Sequence, residues 1–185
     1  MRPVPAIATA GATLVAAFSS PGLAGAAHVA SATAETTPCR FLRLPRATTA
    51  GGLASWGHIR SLTRKGSRFE LRFDPALWLE GTTAQRAAVE DKVIAPGEAV
   101  PNDYYVRDES HRVLTYRVPA SARVTVLTND SRGLCPTTIT VSELAGIVKG
   151  GNPRHRRLFD RHNGLGYWIS VVSDTVRSLD QQYQP

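Results

Sequence analysis

Lysine, cysteine and long apolar runs are scarce in this chain. Lys65, Lys92 and Lys149 are the only lysines among 22 basic residues in 185. The positive charge therefore rests on arginine, whose planar fork suits bidentate contacts with phosphate or carboxylate. Arginine in such excess, beside much Ala, Gly and Pro, is also what a GC-rich coding genome produces. Two cysteines, Cys39 and Cys135, leave no Cys-x-x-Cys pair for zinc. The longest apolar stretch, Pro5 to Phe18, is broken by Thr9, Gly11 and Thr13. It falls well short of the ~20 residues of a spanning helix, so no transmembrane segment is expected. Also missing are a His-Glu-x-x-His pair, an EF-hand loop, a Gly-x-Ser-x-Gly elbow and a glycine-rich phosphate loop.

What is present begins with a leader. "MRPVPAIATAGATLVAAFSSPGLAGAAHVA" sets Arg2 before an apolar run and reaches the small residues Ala24, Gly25 and Ala26, the pattern of a secretory signal peptide. Cleavage before Ala27 is expected. Adjacent arginines for the twin-arginine route are missing, and Cys39 follows "AETTP" instead of the motif that precedes an acylated cysteine. The general secretory route places the chain outside the cell or on its wall. In that oxidising setting Cys39 and Cys135 are expected to pair. "SRGLCP" around Cys135 does not match the Ser-x-Gly-Cys pattern of cysteine transpeptidases, because Leu134 intervenes. A formal net charge of +7 would draw a secreted chain to anionic envelope polymers such as teichoic acids, or to phospholipid headgroups.

Residues 1–26 are thus read as a signal peptide, 27–53 as a flexible arm rich in Ala, Thr and Gly, and 54–185 as one β-rich domain. "WGHIRSL" pairs with "RFELRFD" across "TRKGS"; Phe69, Leu71 and Phe73 alternate with Glu70 and Arg72 as in a half-buried strand. "TTAQRAAVEDK" reads as a short helix opening on a Thr82/Gln85 capping box, with Ala84, Ala87 and Ala88 on one face. "DYYVR" and "RVLTYRV" read as a hairpin turning at Glu109 and Ser110. "ARVTVLT" is a further strand. "ITVSELAGIVKGG" is a helix with a Thr140/Glu143 box, an Ile139/Leu144 staple and a Gly150 stop. "GYWISVV" and "TVRSLDQQY" read as two last strands joined at Ser173 and Asp174, with a helical turn as the alternative for the second. The class expected is α+β, mainly β: a small antiparallel sheet or OB-like barrel with one or two short helices.

Two clusters are candidates for chemistry. Asp103, Asp108, Glu109 and His111 supply oxygen and imidazole for a metal, or the acid and base of an envelope-directed hydrolase. Their spacing fits no metal motif, and Arg107 and Arg112 stand ready as ion-pair partners, so no metal and no cofactor is assigned. "KGGNPRHRRLFDRHNG" concentrates Arg154, Arg156, Arg157 and Arg161, with His155 and His162 between them. This is the candidate anion site, weighed against a solvated loop whose charge Asp160 partly offsets. Trp56, Trp78, Tyr104, Tyr105, Tyr116, Tyr167 and Trp168 are enough to line a sugar-binding face, although large aromatics in a small barrel ordinarily fill the core. No nucleic-acid module is recognisable, and nucleic acid is not expected as a partner.

"LRFDPALWLEGTTAQRAAVEDKV", "PGEAVPNDYYVRDESHRVLTYRVP" and "DTVRSLDQQYQP" together resemble a group of uncharacterised secreted proteins of high-GC Gram-positive bacteria. The resemblance spans Trp56 to Pro185 and implies secretion and a single domain; it carries no site residues. The expectation is a secreted, monomeric, non-enzymatic module for an anionic envelope component or a protein partner. A hydrolase built on the acidic stretch is the alternative. A protease-inhibitor-like protein, suggested by size and a disulfide, is a third.

Overall fold

The computed structural model describes Cys39 and residues 53–108, 112–160, 164 and 166–184. The signal-peptide reading, most of the arm, and Glu109, Ser110, His111, Arg161 and His162 lie outside the described residues. The elements run β1 (Leu53–Lys65), β2 (Arg68–Glu80), α1 (Gly81–Glu90), β3 (Tyr104–Arg107), β4 (Leu114–Pro119), β5 (Arg123–Asp130), β6 (Gly133–Ile139), α2 (Val141–Val148), β7 (Tyr167–Val172) and β8 (Thr175–Gln181).

The sheet closes on itself. β1 pairs with β2 and β7, β2 with β4, and β7 with β8, all antiparallel. A parallel bridge between Arg117 of β4 and Thr175 of β8 completes the ring β1-β2-β4-β8-β7. This is the mainly β, OB-like arrangement expected from the sequence, with one refinement. β8 also runs parallel to β5, so the sheet is mixed. β6 is an addition: "GLCPTTI" alternates poorly, yet it pairs with β5 along its whole length, through a turn after which Gly133 takes φ 98°.

The expected hairpin between "DYYVR" and "RVLTYRV" does not form. β3 pairs with Leu77–Glu80 and β4 with Arg68–Phe73, so the two follow one another along the same edge of β2. At 13 residues, β2 offers an edge long enough for both. Alternation marks a strand but does not name its partner.

Inside the ring, Phe69, Leu71 and Phe73 meet Leu62, Val118, Ile169 and Leu179 in one core. α2 adds Val141, Leu144 and Ile147 to it, each burial stabilising by roughly 2 kcal/mol. Its start is as read: Thr140 Oγ1 accepts from the Glu143 N–H at 3.1 Å, and Gly150 at φ 83° ends it. The box closes only from that side, because the Glu143 carboxylate turns elsewhere. α1 departs further. Glu80 holds the N-cap position with no side-chain capping bond, and Thr82 already lies within the helix. Gln85 instead donates to the Glu98 carbonyl and accepts from the Val100 N–H, fastening the loop that follows. Ala84, Ala87 and Ala88 are buried as expected.

Cys39 and Cys135 form a disulfide with Cα atoms 5.3 Å apart across a sequence separation of 96. Closing a loop of that length is worth about 4 to 5 kcal/mol in the chain-entropy account. Among the described residues no helix is long and apolar enough to cross a membrane.

Candidate functional site

Of the acidic stretch, the described Asp103 and Asp108 stand apart, while Glu109 and His111 lie outside the described residues. Asp103 ends a short 3-10 turn and Asp108 follows β3, so the extended Tyr104–Arg107 segment separates their Cα atoms by ~16 Å. β3 acts instead as a clamp on α1. Arg107 binds Asp91 at 2.7 Å and Glu90 at 3.0 Å and donates to the Ala87 carbonyl at 2.9 Å, while the Tyr105 hydroxyl donates to Asp91 at 2.9 Å. The hydrogen bond from Arg107 holds the Asp91 carboxyl below its usual range.

The arginine loop is held down by a buried acid. The side chain of Glu143 on α2 is 3% exposed, and Arg156 grips its carboxylate while Arg154 approaches to 3.5 Å. Asn152 shapes the loop by donating to the Arg156 carbonyl at 2.7 Å and accepting from the Arg156 N–H at 2.9 Å. The Asn129 N–H donates to the Arg157 carbonyl at 2.7 Å, and the Phe159 N–H to that of Leu127 at 2.9 Å. Arg156 is thus committed to the fold and Arg154 partly so. The exposed Arg157 makes no side-chain bond among the described residues, and Arg161 lies outside them.

A different set of cations is gathered by sheet register. Because Phe69, Leu71 and Phe73 point inward, Arg68, Glu70 and Arg72 point out from β2. Arg68 stands opposite Lys65 on β1 and Pro119 on β4; Glu70 stands opposite Thr63 and Arg117; Arg72 stands opposite Ser61 and Thr115. The parallel bridge at Arg117–Thr175 places β8 beside β4, and exposed Arg177 lies two residues past Thr175 on the same side of β8. The side chains of Lys65, Arg68, Arg72, Arg117 and Arg177 make no ion pair or hydrogen bond among the described residues. Glu70 is the one carboxylate set among them on β1, β2 and β4.

Farther along β2 the same face changes character. A bulge between Ile59 and Ser61 turns Arg60 of β1 onto Asp74, whose Oδ2 accepts from Arg60 Nε at 2.8 Å. The Asp74 side chain is 2% exposed, and its Oδ1 has no partner among the described residues. Beyond it the aromatics collect. Trp78 lies 5.4 Å from Trp56 of β1 and 6.5 Å from Trp168 of β7, and Tyr104 stacks on it at 4.2 Å with rings 5° from parallel. His58 meets Trp56 edge-on at 5.1 Å. Gly166 packs so closely on the Trp56 indole that a Cβ there would overlap the ring. Of the other aromatics, Tyr167 is buried in the core, where desolvation pushes its hydroxyl pKa up, and Tyr116 packs against the core's edge.

One further cluster of ligand-type atoms, Cys39, Asp130 and Cys135, is the disulfide with a neighbouring carboxylate and holds no free thiol. No known protein family, curated protein or solved structure matches this chain.

Proposed function

We propose that the protein is a secreted, non-enzymatic module that binds an anionic component of the cell envelope through the outer face of β1, β2, β4 and β8. The observation that carries this reading is the set Lys65, Arg68, Arg72, Arg117 and Arg177, which projects from one face with Glu70 the one carboxylate among them on β1, β2 and β4. Unpaired cations packed this closely repel one another, and a polyanion relieves that repulsion while releasing its counterions. The second and third strands of an OB-like ring and the turns beside them are a face such barrels commonly use for polymers. Here those are β2 and β4 with the turns at Gly66 and at Ser173–Asp174. Extracellular location rests on the leader pattern and is in keeping with the disulfide.

The hydrolytic alternative draws no support from its described pair, because the extended Tyr104–Arg107 segment lies between Asp103 and Asp108; Glu109 and His111 lie outside the described residues. The test is retention on immobilised glycerol-phosphate polymer over a sodium chloride gradient. The wild-type protein should elute late, and a variant carrying Arg68→Ser, Arg72→Ser and Arg117→Ser should elute early. Identical elution of the two folded proteins sinks the proposal.

A further inference from the structure

The aromatic end of the β2 face calls for its own explanation. All three tryptophans of the chain meet there from β1, β2 and β7, joined by Tyr104 of β3. Core packing accounts for Trp56, which is 2% exposed. It does not account for Trp78, Tyr104 and Trp168, which stay partly exposed on the outside of a ring already filled by Phe69, Leu71, Phe73 and Tyr167. Beside His58, which meets Trp56 edge-on, the polar groups bonded to the partly exposed indoles act as acceptors. The Trp78 indole N–H donates to Glu80 at 2.9 Å, that of Trp168 donates to Gln182 at 3.1 Å, and Asp103 directly precedes Tyr104. Behind them the Trp56 indole N–H and Asp74 Oδ1 are buried without partners among the described residues.

That composition selects among ligands. A nucleic acid carries a phosphate at every unit and would set charge against Glu80 and Asp103, with no cation of the basic strip among the rings. An uncharged sugar ring has an apolar C–H face for an aromatic surface and hydroxyl donors at its rim for carboxylate and amide acceptors. The basic strip begins at Arg72, three outward positions before Trp78, or ~20 Å along the strand. One extended chain can touch both ends.

We propose that the outer face of β2 is a two-part site for an acidic glycan. Its anionic groups lie over Arg68, Arg72 and Arg117, and an uncharged sugar ring lies against Trp78, Tyr104 and Trp168. The charged half rests on the function proposed above; the aromatic half is independent of it.

The test measures binding of the oxidised protein to four probes by tryptophan fluorescence and salt-gradient retention: an acidic polysaccharide, sugar-free polyphosphate, a neutral oligosaccharide and a single-stranded oligonucleotide. The acidic polysaccharide is expected to bind at least about tenfold tighter than polyphosphate of equal charge and to shift the fluorescence, a preference worth one good aromatic contact. Trp168→Ala and Tyr104→Ala should each remove that preference and leave polyphosphate retention unchanged. Two positions are used so that a folding defect in one, seen in its thermal melt, does not decide the matter. Equal binding of polysaccharide and polyphosphate, with both variants neutral, overturns the glycan site and leaves the cationic face standing. A preference for the oligonucleotide overturns it as well. Polysaccharide binding that depends on Trp168 but ignores Arg68, Arg72 and Arg117 overturns the charged half, and with it the function proposed above.

Discussion

Two groups of arginines in this molecule have opposite fates. Arg154, Arg156 and Arg157 are neighbours in sequence, yet the buried Glu143 takes up Arg156 and part of Arg154. Arg68, Arg72, Arg117 and Arg177 are scattered over more than a hundred positions, yet the sheet register sets them on one face without side-chain partners among the described residues. Density of charge along a sequence says little about free charge on a surface. What decides is whether a carboxylate is built in within reach. α2 supplies one to the loop from the buried side, where desolvation forces it to find a cation. Among the cations of the sheet face β2 sets Glu70, while its Asp74 is taken by Arg60.

The comparison breaks most visibly if stability and binding do not separate. Arg156→Ala should cost about 3 kcal/mol, because it leaves a buried carboxylate with only the distant, exposed Arg154. Arg72→Ser should lie within about 0.5 kcal/mol of wild type. Urea unfolding of both variants checks this, and a cost for Arg72→Ser as large as that for Arg156→Ala would erase the distinction. The converse holds for retention on anionic polymer. Arg154→Ser together with Arg157→Ser should shift elution much less than Arg68→Ser together with Arg72→Ser at equal net charge. The equal charge makes this a test of location, not of total charge.

Arg107 supplies an intermediate case. Its side chain is 17% exposed, and it binds Asp91 and Glu90 on the surface instead of a buried acid. Because Arg107 depresses the Asp91 carboxyl below its ordinary value of 3.8, the pair adds stability that is fully present above that value. That contribution fades as pH falls through the depressed folded value. Asp91→Asn should therefore lower the melting temperature at pH 7 and lower it less as the pH falls below the ordinary carboxylate value. A melting temperature that falls equally above and below that value would mean the clamp is not electrostatic.

Much of the fold was legible before the register was known. The alternation of Phe69, Leu71 and Phe73 identified β2 and its inward face, Thr140 marked the start of α2, and Ser173–Asp174 marked the last turn. These are local signals, carried by side chains a few positions apart. Partner choice is not local. Nothing within "DYYVR" says that it continues β4 along β2, and β6 carries Pro136 within a strand that alternates poorly. The candidate sites suffered the same limit. The outward Arg68 and Arg72 were visible as the polar half of a strand, but Arg117 and Arg177 joined them only when β4 and β8 were placed. Trp56, Trp78 and Trp168 lie on three different strands, so their meeting was likewise hidden.

Glu70 gives the finest probe of the comparison. It stands directly opposite Arg117 on the outer face and is partly buried between its neighbours. A cross-strand pair of this kind is worth roughly 0.2 to 1 kcal/mol, so Glu70→Gln should lower stability by no more than that. The same change removes the one negative charge set among the cations of β1, β2 and β4. Polyphosphate retention should then rise by about two- to threefold at low salt, and the gain should vanish at high salt as screening takes over. An increase that survives 1 M salt would show that Glu70 acts by shape and not by charge. The polymer would then be held by contacts other than the arginines of this face.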